Sequence, residues 1–222
     1  MYKLPLILLT CFVYQATLSA QAVRTDTVIT SWGRNITTYD ARNRRIDSIM
    51  QARIVPVKLP DGTVLHYKTY MEHLYTYDNK GNMSTDLFKQ WFADTVNQMY
   101  KHTYTYNEQN KMTLDFWQKW IGGPWRDYYK DTFTYNKQHS MLLHLRQAAS
   151  GTTWINVWQA VYVYGAANNL VSETTQNWDG QYWENYDRTM YAYNANNLQV
   201  GHTDEYWKDG TWHNGLRPSP RR

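Results

Sequence analysis

Asp127 and Asp131 are the acidic residues whose spacing first invites a catalytic reading, since glycoside hydrolysis uses two carboxyl groups flanking one bond. They sit on one segment of strand-like alternation, and spacing alone does not separate them from their neighbours. Other chemistries find less support. Asp78-Asn79-Lys80-Gly81-Asn82 resembles the start of a calcium loop, but its glycine comes two positions too early for an EF-hand and no Glu closes it. The seven histidines are scattered without metal-ligand pairing, and His66, His102 and His202 read as strand residues. No Gly-x-Ser-x-Gly, nucleophilic cysteine in a mature chain or phosphate loop is present. The expectation is a protein without catalytic residues, metal or cofactor.

Binding chemistry is better represented. Aromatic residues make up 16% of the chain although its mean hydropathy is −0.73. Leu, Ile and Val are scarce, so a thick aliphatic core is not expected. Trp120 with Trp125, Trp178 with Trp183, and Trp207 with Trp212 are candidate stacking surfaces for sugar rings, with Asn156, Asn185 and Asp187 as polar neighbours. Trp117, Tyr128 and Tyr186 fall on the opposite, polar side of the alternation and are candidates for exposed contacts. The competing reading is that the tryptophan rows pack first on one another.

The elements that position these residues come from a tandem repeat with a step of 29 residues. Tyr75-Thr76-Tyr77, Tyr104-Thr105-Tyr106, Phe133-Thr134-Tyr135, Tyr162-Val163-Tyr164 and Tyr191-Ala192-Tyr193 mark it. Later in each unit, Gly122-Gly123, Gly151-Thr152, Gly180-Gln181 and Asp209-Gly210 are dipeptides favoured by two-residue hairpins, with Ala93-Asp94 at the same place in the first unit. That turn sets Trp120 opposite Trp125. At the other end, Gly81, Asn110, His139, Asn168 and Asn197 occupy a position suited to a left-handed residue. Each unit therefore reads as two strands of roughly ten residues joined by turns.

Plain alternation then predicts one face carrying Met112, Leu114, Phe116, Gln118, Trp120, Trp125, Asp127, Tyr129, Asp131, Phe133 and Tyr135. The organisation expected is an N-terminal strand over 23–36, a longer degenerate repeat over 37–74 turning at Pro60-Asp61-Gly62-Thr63, and five hairpin repeats over 75–214, the last incomplete. The fold class is all-β: an elongated, curled antiparallel sheet of tandem hairpins.

The ends carry processing signals. Residues 1–22 combine a basic start, an apolar stretch and Ala20-Gln21-Ala22, which predicts a cleaved signal peptide containing the single cysteine, Cys11. Residues 215–222 predict a basic disordered tail. The formal charge of +4 is too small to argue for nucleic acid. An outer-membrane barrel is disfavoured because the aromatic face contains Lys89, Asp127, Asp131 and Asp187, which are costly against lipid. The expected protein is exported to the periplasm, cell surface or medium and does not span the membrane after cleavage.

Tyr75-Thr76-Tyr77-Asp78-Asn79-Lys80-Gly81-Asn82 resembles the Tyr-Asp repeat of the RHS and teneurin families, and weaker copies follow at 104–111, 133–140, 162–169 and 191–198. The units here are longer and add the tryptophan-flanked hairpin. The Trp/Tyr/Asn-rich repeats are also similar to secreted Bacteroidetes proteins. The resemblance implies a strip of hairpins that spirals, with glycans or surface proteins as partners.

Overall fold

The computed structural model describes residues 24–30, 33–92 and 95–215. The expected signal peptide, the Ala93-Asp94 turn and all but Gly215 of the expected tail lie outside the described residues. The fold is one open antiparallel sheet of fourteen strands in sequential order, with no helix among the described residues. The strands are β1 Arg24–Thr30, β2 Gly33–Tyr39, β3 Arg45–Lys58, β4 Val64–Tyr77, β5 Met83–Phe92, β6 Thr95–Tyr106 and β7 Met112–Trp120. They continue as β8 Trp125–Tyr135, β9 Met141–Ser150, β10 Thr153–Tyr164, β11 Leu170–Trp178, β12 Trp183–Tyr193, β13 Gln199–Lys208 and β14 Thr211–Asn214. The stretch 23–36 is thus not one strand: its described part holds β1 and the start of β2, which pair with each other. The longer hairpin before Tyr75 is present as β3 and β4, fourteen residues each, turning at Leu59–Thr63.

The tandem turns at one sheet end have a common construction. Asp78 Oδ1 accepts from the backbone N–H of Lys80 (2.9 Å) and Asn82 (2.8 Å), and Gly81 N–H donates back to the Asp78 carbonyl. Asp40, Asn107, Asn136 and Asn194 repeat the same side-chain bonds, which mimic a backbone turn. The residue closing each turn is left-handed: Asn43, Gly81, Asn110, His139, Asn168 and Asn197 all have positive φ. Asn is suited to that conformation and here also links turns. Asn136 Nδ2 donates to Asn168 Oδ1 (3.0 Å), and Asn168 Nδ2 donates to Ser140 Oγ (2.8 Å).

The second tyrosine of the repeat signature has a defined task. Tyr77, Tyr106, Tyr135 and Tyr193 donate their hydroxyls to the carbonyls of Arg45, Met83, Met112 and Leu170 at 2.6–2.9 Å. Each bond ties the end of one strand to the start of the strand before it.

Plain alternation fails at two places in the unit. Thr76 pairs with Thr85 and Tyr77 with Met83, which leaves Ser84 as an extra residue. Thr113, Leu142, Val171 and Val200 are extra at the same position of later units. Near the other end, Tyr128, Val157 and Tyr186 are extra residues on β8, β10 and β12. These are β-bulges, which switch the face taken by the residues that follow. The face expected from strict alternation is therefore divided. Phe116, Gln118, Trp120, Trp125 and Asp127 lie on one side, while Tyr129, Asp131 and Phe133 share the other with Asp115, Trp117 and Lys119.

Register also staggers the units. Tyr75 lies opposite Asp86, and Asp86 lies opposite His102, so the partner one unit on is 27 residues away and not 29. Each unit slides two residues along its strands, about 7 Å.

Replacing Asn168 separates its two duties. Asn168→Ala is expected to lower unfolding stability in urea by about 1–2 kcal/mol through left-handed strain and lost amide bonds. Asn168→Gly should cost clearly less, since only the bonds go; equal losses would contradict the conformational role.

Candidate functional site

The residues on the Asp131 side form the more covered face: Tyr75, Asp131 and Ala160 lie there and are buried. Its centre is ionic. Arg146 Nε and one terminal nitrogen each donate to Asp131 at 2.9 Å, and His144 Nε2 lies 3.0 Å from Asp131 Oδ1. Burial pushes the Asp131 carboxyl upward, but the bonds from His144 and Arg146 outweigh it and hold the group below the usual carboxylate range. The Arg146 guanidinium also lies 5.0–5.4 Å from the ring centres of Trp117, Tyr129 and Trp158. One arginine on β9 thus holds together side chains from β7, β8 and β10.

Histidine–carboxylate pairs flank this centre. His73 Nδ1 is 2.9 Å from Asp86, and His102 Nδ1 is 3.0 Å from Asp115. Above them opens a cleft of about 410 Å³, walled by Phe88, Tyr100, Trp117, Tyr128 and Tyr129 with His73, Asp86 and His102 in its lining. Trp117 packs against His102 at 4.1 Å between ring centres and against Tyr129 at 5.9 Å, edge-on. Its indole Nε1 is buried without an acceptor.

A second cleft of about 440 Å³ recurs on the same face, lined by His144, Trp158, Ala160, Tyr162, Glu173, Thr175, Asn177 and Tyr186. Trp158 and Tyr186 stand 58 residues after Tyr100 and Tyr128, so the two clefts are equivalent places two units apart. In each, the tyrosine is the bulge residue of its hairpin. The bulge leaves this tyrosine on the side of Trp117 or Thr175 and brings the residue after it, Tyr129 or Asp187, to that side as well. Desolvation, with Glu173 nearby, pushes the Tyr162 phenol up to about 12, so it is a neutral hydroxyl donor at ordinary pH.

The tip tryptophans lie on the reverse face. Trp178 and Trp183 meet with ring centres 5.0 Å apart at 63°, and Trp207 and Trp212 at 5.0 Å and 67°. Trp120 and Trp125 are cross-strand partners, with Trp120 Nε1 donating to the Gly123 carbonyl at 3.1 Å. Gly122 and Gly123, at φ of 59° and 140°, make the turn that sets this pair. One step inward from the tips runs a row of polar cross-strand pairs: Gln118 with Asp127, Gln147 with Asn156 and Gln176 with Asn185, at 2.8–3.1 Å.

The candidates named from sequence therefore sort differently from expectation. Trp117 is half-buried on the covered face and shares a cleft with Tyr128; Tyr186 belongs to the twin cleft. The six tip tryptophans gather on the other side with Asn156 and Asn185, whereas Asp187 lies on the cleft face. Asp127 and Asp131 face opposite ways and cannot flank one bond. His73, Asp86, Tyr100 and Trp158 were not singled out by the sequence. The 58-residue correspondence between Tyr128 and Tyr186 was the signal available for the twin site.

No known protein family matches this chain, and no curated protein is detectably similar to it.

Because the Asp131 carboxyl titrates lower folded than unfolded, its stabilisation is full above the unfolded value near 4 and is lost as pH falls through the folded value. Asp131→Asn should destabilise the protein at pH 7 by roughly 2 kcal/mol. In urea midpoints measured between pH 2 and 7, the gap from the native protein should close at the acid end; a constant gap would show that the charge is not the source.

Proposed function

We propose that this is an exported, non-catalytic repeat protein that binds glycans at a bacterial cell surface, with the twin clefts as its sugar subsites. The recurrence of the cleft carries this reading. The same arrangement of aromatic wall, bulge tyrosine and hydrogen-bonding side chains appears twice in one sheet. Concave sites of this kind, mostly aromatic with a few polar groups, are where small ligands bind. A sugar ring offers C–H faces to Tyr100, Tyr128 or Trp158 and hydroxyls to Asp86, His102 or Glu173.

The setting of the acidic groups favours binding over hydrolysis. Asp86, Asp115 and Asp131 are each already engaged by a histidine. The Tyr-Asp signature at 75–82, with its resemblance to adhesive repeat families, and the signal-peptide-like start support the same assignment.

Equivalent clefts two units apart lie roughly 20 Å from each other across the strands. Such spacing suits a linear polysaccharide that fills both at once, since linked sites gain avidity without new contacts. The test is a glycan array followed by affinity electrophoresis with the polysaccharides that score. Tyr128→Ala and Tyr186→Ala should each weaken retention by a long chain about tenfold or more, and together abolish it. Native protein that binds no glycan, or variants retained like native protein, would refute the assignment; hydrolysis of the retained chain would replace it with an enzyme.

A further inference from the structure

The two clefts are alike in shape but differ in charge at the rim. Lys119 and Arg126 lie directly opposite each other on β7 and β8, on the cleft face. Lys119 is in turn opposite Tyr100, and its Nζ lies 5.6 Å and 5.9 Å from the ring centres of Tyr100 and Tyr128, which wall the first cleft. Like charges in directly opposed positions repel and cost stability. Among the described residues neither cation has a carboxylate within ion-pair distance, whereas Arg146 on the same face is held by Asp131. At the corresponding rim of the second cleft stand Asn177 and Glu184, so the cation pair is not a requirement of the fold.

A cross-strand ammonium and guanidinium without a counter-ion, set beside an aromatic wall, match an oxyanion carried on a sugar ring. The guanidinium fork suits carboxylate and sulfate alike, and the ammonium adds a second positive charge. The carboxylates of Asp86 and Asp115 are hydrogen-bonded to His73 and His102, and neither lies within ion-pair distance of Lys119 or Arg126. We infer that the first cleft selects an acidic saccharide, with a carboxylate or sulfate bound between Lys119 and Arg126, while the second cleft takes a neutral one. This specificity rests on the clefts being sugar sites.

The experiment exchanges the two rims, using residues that the fold already carries at the equivalent place. Binding of the full chain is measured by calorimetry against oligogalacturonate, its methyl ester and a sulfated galactan oligosaccharide. Native protein should hold one or both acidic probes about tenfold tighter than the ester, with the preference falling as ionic strength rises. Preference for the uronate or for the sulfated probe identifies which oxyanion is read. Lys119→Asn with Arg126→Glu should abolish the acidic preference yet leave ester binding intact, and Asn177→Lys with Glu184→Arg should add a second acid-preferring site. Native protein that binds acidic and neutral probes equally, or a Lys119/Arg126 variant that keeps the preference, overturns the inference and leaves the glycan reading standing. Absence of binding to all probes, in protein whose circular dichroism is native, overturns both.

Discussion

A sheet of one layer has nothing to pack against, and every other feature of this protein answers that constraint. Apolar burial of the ordinary kind is nearly absent, with Tyr75 and Ala160 the buried hydrophobic residues among those described. Cohesion has to run sideways, along rows of side chains that lie across neighbouring strands. Long, flat or forked residues do this best, which accounts for a composition rich in Tyr and Trp and poor in Leu, Ile and Val. Arg146 is the clearest instance: its two bonds to Asp131 and its contacts with three rings cover backbone that a second layer would otherwise shield. The ion pair is partly exposed on the arginine side, so part of its desolvation cost is avoided.

Turn chemistry was legible in the sequence because it is local. Asp or Asn at the start of a turn and a left-handed residue at its close are fixed by bonds spanning a few residues. The hairpin order follows once the turns are known. The pairing of Trp178 with Trp183 follows from the length of the loop between them. Face assignment was not legible. Tyr128, Val157 and Tyr186 share a position but no common chemistry, and Ser84, Thr113, Leu142, Val171 and Val200 are equally mixed. An extra residue in a strand costs a ladder bond and changes twist without demanding a particular side chain. Alternation read through such positions reverses its answer, and this is why Trp117 and Tyr129 were expected apart.

The same irregularity shapes the clefts. Strict alternation counted from the tip turn places Tyr128 with Trp117, but sends Tyr129 and Asp131 to the reverse side with Trp125 and Asp127. The bulge at Tyr128 instead brings Tyr129 and Asp131 to the side of Trp117 and Asp115, where Asp131 organises the surface. In the middle unit the bulge residue is Val157, and Arg146 lies opposite Trp158 beside it. Copies that share one backbone thus differ in the side chains and charge they present, as Lys119 with Arg126 and Asn177 with Glu184 show, and the differences come from single residues at fixed places in the unit.

Strands here touch their neighbours in sequence and pair in strict order. Stability in such an array is a chain of nearest-neighbour terms. Duplication or loss of a whole unit within the gene would therefore leave the remaining interfaces intact and keep each face in phase, because the shift between units is an even number of positions. The extent of each face is in that sense inherited as copy number, and can be lengthened or shortened without redesigning any single unit.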